Sequence, residues 1–184
     1  MGYALAAAAV RRGHTVTLVS GPVALKPPAG CRCVSVVSAA EMAAAAKRAF
    51  RQCDAAILTA AVCDYRPARP LKRKLAKQHR ARSLALVPTE DIATSLGRVK
   101  RGRAIVGFAM EDHDHHAHAE AKLRRKRCDA IILNGPENVG SDRAAIEILR
   151  ADGTWSLTYT ASKRAVATRI VRLVESLRTD QGSD

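Results

Sequence analysis

The sequence predicts an α/β domain with a mostly parallel sheet, helices on both faces and an antiparallel hairpin added late. Three observations carry that expectation. Short apolar or β-branched runs, among them "TVTLVS", "AIVGFAM" and "DAIILNG", alternate with alanine-rich or amphipathic stretches of helical length. The central runs are almost continuously apolar, as strands covered on both faces are. Near the end, Asp152-Gly153 in "RADG" parts two further runs, a strong hairpin signal.

The elements follow in order. "GYALAAAAVRRG" is a good helix former that stops at Gly13. "TVTLVS" (Thr15–Ser20) reads as a strand, "GPVALKPPAG" as a loop and "CVSVV" (Cys33–Val37) as a second strand. Ser38 then caps the helix "AAEMAAAAKRAFRQ", with Glu41 three residues on in a capping-box arrangement. "AAILTAAV" is a central strand, and Cys63–Arg82 a long basic loop. "SLALV" reads as a strand and "TEDIATSLGRV" as a short helix capped by Thr89. "AIVGFAM" (Ala104–Met110) is a strand, "EDHDHHAHAEAKLRRKR" a polar helix and "DAIILNG" (Asp129–Gly135) another strand. "AAIEIL" and "TWSLTYT" flank the turn, and "SKRAVATRIVRLVESLR" closes the chain as an amphipathic helix. We assign residues 1–178 to one Rossmann-like domain and 179–184 to a frayed tail. A doubly wound domain normally begins with a strand and a turn, whereas this sequence opens inside a helix, so its first strand and first ligand loop are expected to lie outside it.

Composition narrows the function. Hydrophobic residues make up 47% and charged residues 26%, a globular balance. A formal charge of +14 points to polyanionic partners: nucleic acid, a membrane surface or phosphorylated small molecules. Single strands of nucleic acid are usually gripped by aromatic stacking, and two Phe, three Tyr and one Trp offer few platforms. No apolar segment approaches a membrane span. The first charges follow the apolar start rather than precede it, so no signal peptide is expected. Five cysteines without a CxxC pair read as reduced cytosolic thiols, which places the protein in the cytoplasm.

In parallel sheets ligands bind beyond the carboxyl ends of the strands. That rule gathers "CDYRP", "FAMED" and "NGPENVGSD" on one edge. Asp64 is a carboxylate able to accept from a base or a sugar hydroxyl, or equally one half of a surface pair with Arg66. Lys72, Arg73, Lys74 and Lys77 form either a solvated basic loop or one that folds over a triphosphate. Lys122 and Lys126, four apart late in a helix, offset its dipole and share a face that phosphate could meet. The pairs His113/His116 and His115/His118 are metal-ligand spacings, but the histidines spread around the helix, and no native metal site is expected. Ser141 and Asp142 beside Gly140 are available to cap a turn or touch a ligand. Neither a Ser-His-Asp order, a Walker A lysine nor a complete GxGxxG is present.

The ordered set "AAVCDYRP", "RKLAK", "TEDI", "VGFAMED", "KLRRK" with "CDAIILN", and "GSD" resembles phosphopantothenoylcysteine synthetases, the phosphopantothenate–cysteine ligases often fused behind a flavin decarboxylase. The resemblance spans nearly the whole sequence and implies a CTP-dependent ligation in coenzyme A synthesis. The partners it implies are 4′-phosphopantothenate, L-cysteine and CTP with Mg2+, no flavin in this chain, a homodimer, and a decarboxylase domain or protein nearby. It implies nucleotide contacts at Thr59, Ala60, Asp64, Asp91, Ile92 and Phe108, phosphate contacts at Lys122 and Lys126, and a mobile-loop catalytic lysine at Lys74. Met1-Gly2 matches the end of the family's S-S-G-K-M-G stretch, which places a strand, a Gly-rich turn and an asparagine upstream. "TEDI" stands where the family has N-P-D-I, and "LAK" thins its usual lysine pair. A nucleotide-binding module without turnover and a basic nucleic-acid-binding protein are the alternative readings.

Overall fold

A computed structural model describes residues 1–71, 73–77, 81–110, 114–138 and 140–180. Helix α1 (Gly2–Arg11) precedes β1 (Val16–Ser20) and β2 (Cys31–Ser35); α2 (Ala39–Phe50) precedes β3 (Ala55–Leu58). Next come β4 (Tyr65–Pro67), β5 (Leu86–Pro88), α3 (Ile92–Gly97), β6 (Ala104–Met110) and α4 (His115–Lys126). Strand β7 (Ala130–Asn134) is followed by a 3-10 turn (Pro136–Asn138), β8 (Arg143–Arg150), β9 (Tyr159–Ser162) and α5 (Lys163–Asp180).

The main sheet runs β3-β6-β7-β8-β9, with β3, β6 and β7 parallel and β8 and β9 antiparallel. Side-chain alternation splits its core into two layers. Val106, Ile132, Ile146 and Ile148 face α1 and α5, where Leu5, Val166 and Ile170 meet them. Ile105, Ile131, Leu133 and Leu149 face the other way, onto Phe50 of α2, Leu96 of α3 and Leu123 of α4. The expected α/β class with a late hairpin is what the chain adopts.

Several boundaries depart from the sequence reading. β2 lies two residues earlier than "CVSVV", because its register follows β1 from Val16↔Cys31 to Ser20↔Ser35. The run "AAILTAAV" is a strand only to Leu58, where its pairing with β6 ends at Gly107. The basic loop contains β4, which pairs antiparallel with β5 in a separate ribbon. Asp91, not Thr89, caps α3, its Oδ1 accepting from Thr94 N at 3.0 Å. Helix α5 runs through Thr179 and Asp180, while residues 181–184 of the expected tail lie outside the described residues. Ser38 caps α2 as read, accepting from Glu41 N at 3.2 Å, while Glu41 reaches back to Val37 N at 2.8 Å.

The larger difference is that β1 and β2 form a parallel pair of their own. No backbone hydrogen bond joins them to β3. Side chains of α5 bind both regions instead. Arg12 clamps Glu175 through two bonds of 2.7 and 2.6 Å, and His14 adds a third at 2.8 Å. Arg178 meets Asp54, just before β3, at 3.8 Å.

The Arg12 hydrogen bonds are the main cause holding the Glu175 carboxyl down at about 2, against an ordinary 4.5. A depressed carboxylate stabilises the fold above its unfolded value, and that contribution is lost as pH falls from about 4.5 through about 2. Glu175→Gln is expected to lower the melting temperature at pH 7, with the gap to the parent closing as pH falls across that window. A gap unchanged at pH 2.5 in a thermal-melt series would refute the clamp.

Candidate functional site

A cleft of ≈ 1910 Å³ opens at the carboxyl ends of β3 and β6. Thr59, Ala60, Asp64, Asp91, Ile92, Phe108, Lys122 and Lys126 all line it. The motifs that were far apart in sequence therefore converge, as the strand-end rule requires. The cleft exceeds the usual 300–1,000 Å³ of a ligand pocket because it continues between β1 and β3, along Val16–Val19 and Ala55–Leu58.

Each wall is placed by ordinary packing. Phe108 sits on the α1/α5 side of β6, partly buried against that core layer. Asp64 is exposed and lies six residues past the end of β3, not at its mouth. Its carbonyl accepts from Thr89 N at 2.7 Å, which ties the foot of the ribbon to the start of the α3 segment.

Lys126 comes from the end of α4 and is only 17% exposed. Its Nζ meets Asp91 Oδ2 at 3.2 Å. Burial opposes ionisation of Asp91, but hydrogen bonds from Thr94 and the Lys126 charge outweigh it and hold the carboxyl below its ordinary value. Gly97 makes this approach possible: a Cβ there would lie 2.1 Å from the Lys126 carbonyl oxygen. Lys122 also lines the cleft, while Arg124 and Arg125 are exposed away from it.

Lys74 is not brought to the cleft. It is exposed on the segment between β4 and β5 and absent from the lining. Lys72 and His113 lie outside the described residues. The histidine-rich start of α4 anchors that helix instead: His116 Nε2 meets Glu147 Oε2 at 2.8 Å and its ring lies 4.1 Å from that of Trp155. Among the described residues no group of three or more His, Cys, Asp or Glu gathers to hold a metal. Ser141 spends its hydroxyl on Arg143 N at 3.1 Å and does not line the cleft.

Three lining residues escaped the sequence reading. Among the described residues Thr89 Oγ1 is buried without a hydrogen-bond partner, an acceptor and donor left for a ligand. Lys163 opens α5 from its first position, where the helix dipole disfavours a cation, and contributes to lowering the Met1 amine after burial has done so. A lysine at a helix start was a signal available in "TASKRAV". Asn138 is buried and grips Ala145 through bonds of 2.8 and 2.9 Å, fixing the turn after β7 as if it were a strand neighbour. The cleft thus offers three lysines, one orphan hydroxyl, the Phe108 ring and the capping carboxylate of Asp91, a set suited to a phosphorylated ligand with a planar base.

The family described as the DNA/pantothenate metabolism flavoprotein C-terminal domain matches residues 1–177. The sequence is 36% identical over 187 residues to the coenzyme A biosynthesis bifunctional protein CoaBC of Bacillus subtilis, covering 99% of this chain and 46% of that protein. It is 39% identical over 183 residues to a cysteine/cysteine sulfinic acid decarboxylase of an unknown prokaryotic organism, covering 96% of this chain and 51% of that protein. The chain therefore spans about half the length of these curated relatives. A crystal structure of the C-terminal domain of CoaBC superposes with a TM-score of 0.81 at 33% identity, covering 97% of this chain and 82% of that one.

Substitutions at two positions test the walls. Asp91→Ala should cost about 1 kcal/mol by removing the cap, while Asp91→Asn keeps the cap and costs less, read by denaturant melts. Gly97→Ala should cost about 1–3 kcal/mol, since backbone must shift to admit the methyl; equal stability to the parent would show that α3 and α4 are not held at this distance.

Proposed function

Because this chain belongs to the DNA/pantothenate metabolism flavoprotein C-terminal domain family, we propose that it is the ligase domain that joins 4′-phosphopantothenate to L-cysteine at the expense of CTP, in the cytoplasm. The observation that supports the reading most is the convergence of Thr59, Asp64, Asp91, Ile92, Phe108, Lys122 and Lys126 on one cleft. CTP enters as its magnesium complex. In this reading the metal comes with the triphosphate as part of the substrate, and no step is assigned to a protein-held ion.

The substrate carboxylate oxygen attacks the α-phosphorus of CTP, the bond to the bridging oxygen breaks, and pyrophosphate leaves with its electron pair. The cysteine amine then adds to the acyl carbonyl of the resulting acyl-cytidylate, CMP departs, and the amine proton is lost to solvent as the amide forms. Phe108 packs on the nucleotide, while Thr59, Ala60 and Ile92 shape the wall beside it. Lys122 and Lys126 face the triphosphate, and the triphosphate competes with Asp91 for Lys126. Asp64 accepts from the nucleoside. Lys74 takes part only when the segment between β4 and β5 folds toward the cleft, where its charge stabilises the leaving pyrophosphate. No flavin is assigned to this chain, and a homodimer and a decarboxylase partner are part of the same proposal. A module that binds nucleotide without turnover is a second reading, favoured by the position of Lys74 outside the cleft.

Calorimetry with Mg-CTP should show binding to the parent. Lys126→Ala and Lys163→Ala should each weaken it roughly tenfold, the loss of one charge-assisted contact. Arg125→Ala should leave it unchanged. Absence of CTP binding sinks both readings. Pyrophosphate and amide release with 4′-phosphopantothenate and cysteine separates the ligase from the binding module.

A further inference from the structure

We infer that the end of the β8 hairpin and the middle of α5 form a second anion site, which takes a small phosphorylated molecule through three arginines. The site lies outside the cleft and does not rest on the ligase reading.

A hollow of ≈ 330 Å³ opens where α5 lies beside that hairpin. This is the lower end of the usual ligand-pocket range of about 300–1,000 Å³. Its floor is apolar and fixed, since Ile148 and Leu173 line it and both are buried. Its walls carry three guanidinium groups, Arg150 from the end of β8 and Arg169 and Arg172 from α5. The two on α5 are three residues apart and so share a face.

No carboxylate answers these charges. Among the described residues none of the three arginines makes an ion pair. Three acids on the same elements are committed elsewhere: Glu147 to His116 and Thr158, Asp152 to Thr154, and Glu175 to Arg12 and His14. The Asp152 carboxyl is held below its ordinary value mainly by the Thr154 hydrogen bonds, with the Arg150 charge a lesser cause. Three like charges around one hollow repel each other, and a bound anion relieves that cost.

The hydroxyls of the hollow sharpen the selectivity because their protons are already spent. Thr154 Oγ1 donates to Asp152 Oδ1 at 2.7 Å, Ser156 Oγ to Leu157 O at 3.0 Å and Ser176 Oγ to Leu173 O at 2.8 Å. Hydrogen-bond donation to a ligand thus falls to the guanidinium groups, which engage phosphate oxygens in forked pairs. The frame is set before a ligand arrives. Arg150 N donates to Thr154 O at 3.0 Å and Ser156 N to Ile148 O at 2.9 Å, locking the hairpin. Arg169 packs over the Tyr159 ring at 4.6 Å, which holds its guanidinium without using the N–H groups. A nucleic-acid strand needs a longer groove with several stacking rings, whereas this hollow is short and Trp155 is the one aromatic residue lining it.

The test titrates inorganic phosphate, then pyrophosphate, into the isotope-labelled chain at constant ionic strength. Amide shifts are followed by NMR at Arg150, Thr154, Arg172 and Ser176, with Thr59, Ile92 and Phe108 reporting separately on the cleft. Saturable shifts at the first group are expected with both probes. Arg169→Ala and Arg172→Ala should each weaken them roughly tenfold and leave the cleft reporters as they were. Arg172→Lys, which keeps the charge and loses the fork, should fall between. The rest of each variant's spectrum, unchanged from the parent, shows that it is folded. No saturable shift at the hairpin and α5 overturns the inference, whatever the cleft does. So does an equal response to added chloride, which is screening alone, or a response that survives the Arg169→Ala/Arg172→Ala pair. Displacement of phosphate by an oligo-deoxythymidine that binds more tightly and shifts amides well beyond the hollow also overturns it, because the ligand is then a nucleic acid.

Discussion

The packing of α1 along α5 is the contact on which the arrangement of this molecule depends. A sheet usually holds its strands in place through the ladder itself, but β1 and β2 have no ladder to the main sheet. Their place is set by α1, which precedes β1 and lies on α5, and by the Arg12–Glu175–His14 clamp at its end. Helix α5 is in turn fixed by Val166, Ile170 and Val171 sunk into β6, β7 and β8. Position is thus handed from the most buried strands to α5, then to α1, and last to β1. The first hand-over is apolar and the next joins apolar packing to that clamp, and apolar contact sets a distance and an orientation less sharply than a hydrogen-bonded ladder.

The other wall of the cleft is built on different terms. Helix α4 is mostly polar, with only Ala119 and Leu123 buried, yet it carries the two lysines that face the cleft. It is held by His116 on Glu147 and Trp155, by Leu123 in the core, and by the Lys126 carbonyl against Gly97. Charge at the end of α4 is therefore positioned by contacts along its whole length. The short α3 repays this by presenting Asp91 to Lys126 while using the other oxygen of the same carboxylate as its own cap.

The sequence made the strands β6 and β7 and the helices α1, α2 and α5 legible because their signals are local: apolar runs, Ser38 with Glu41, Gly13 after an alanine stretch. The cleft residues were legible through motif order together with the strand-end rule, which needs only chain direction. What stayed hidden depended on partners. Strand β3 stops at Leu58 because pairing with β6 stops there, and nothing in "AAILTAAV" marks that point. The β4–β5 ribbon is three residues a side within a basic segment, too short for a periodic pattern. Thr89 and Asp91 are both good caps, and the choice between them was settled by Thr94 N lying within reach of Asp91. Lys163 gave a signal, a cation where the dipole disfavours one, that is read only once the helix start is known.

The last turn of α5 has a topological consequence. Arg178 brings that turn to Asp54, at the end of the molecule where β1 and β3 begin. Two stretches far apart in sequence, the close of the last helix and the entry to β3, therefore sit side by side at one edge of the molecule.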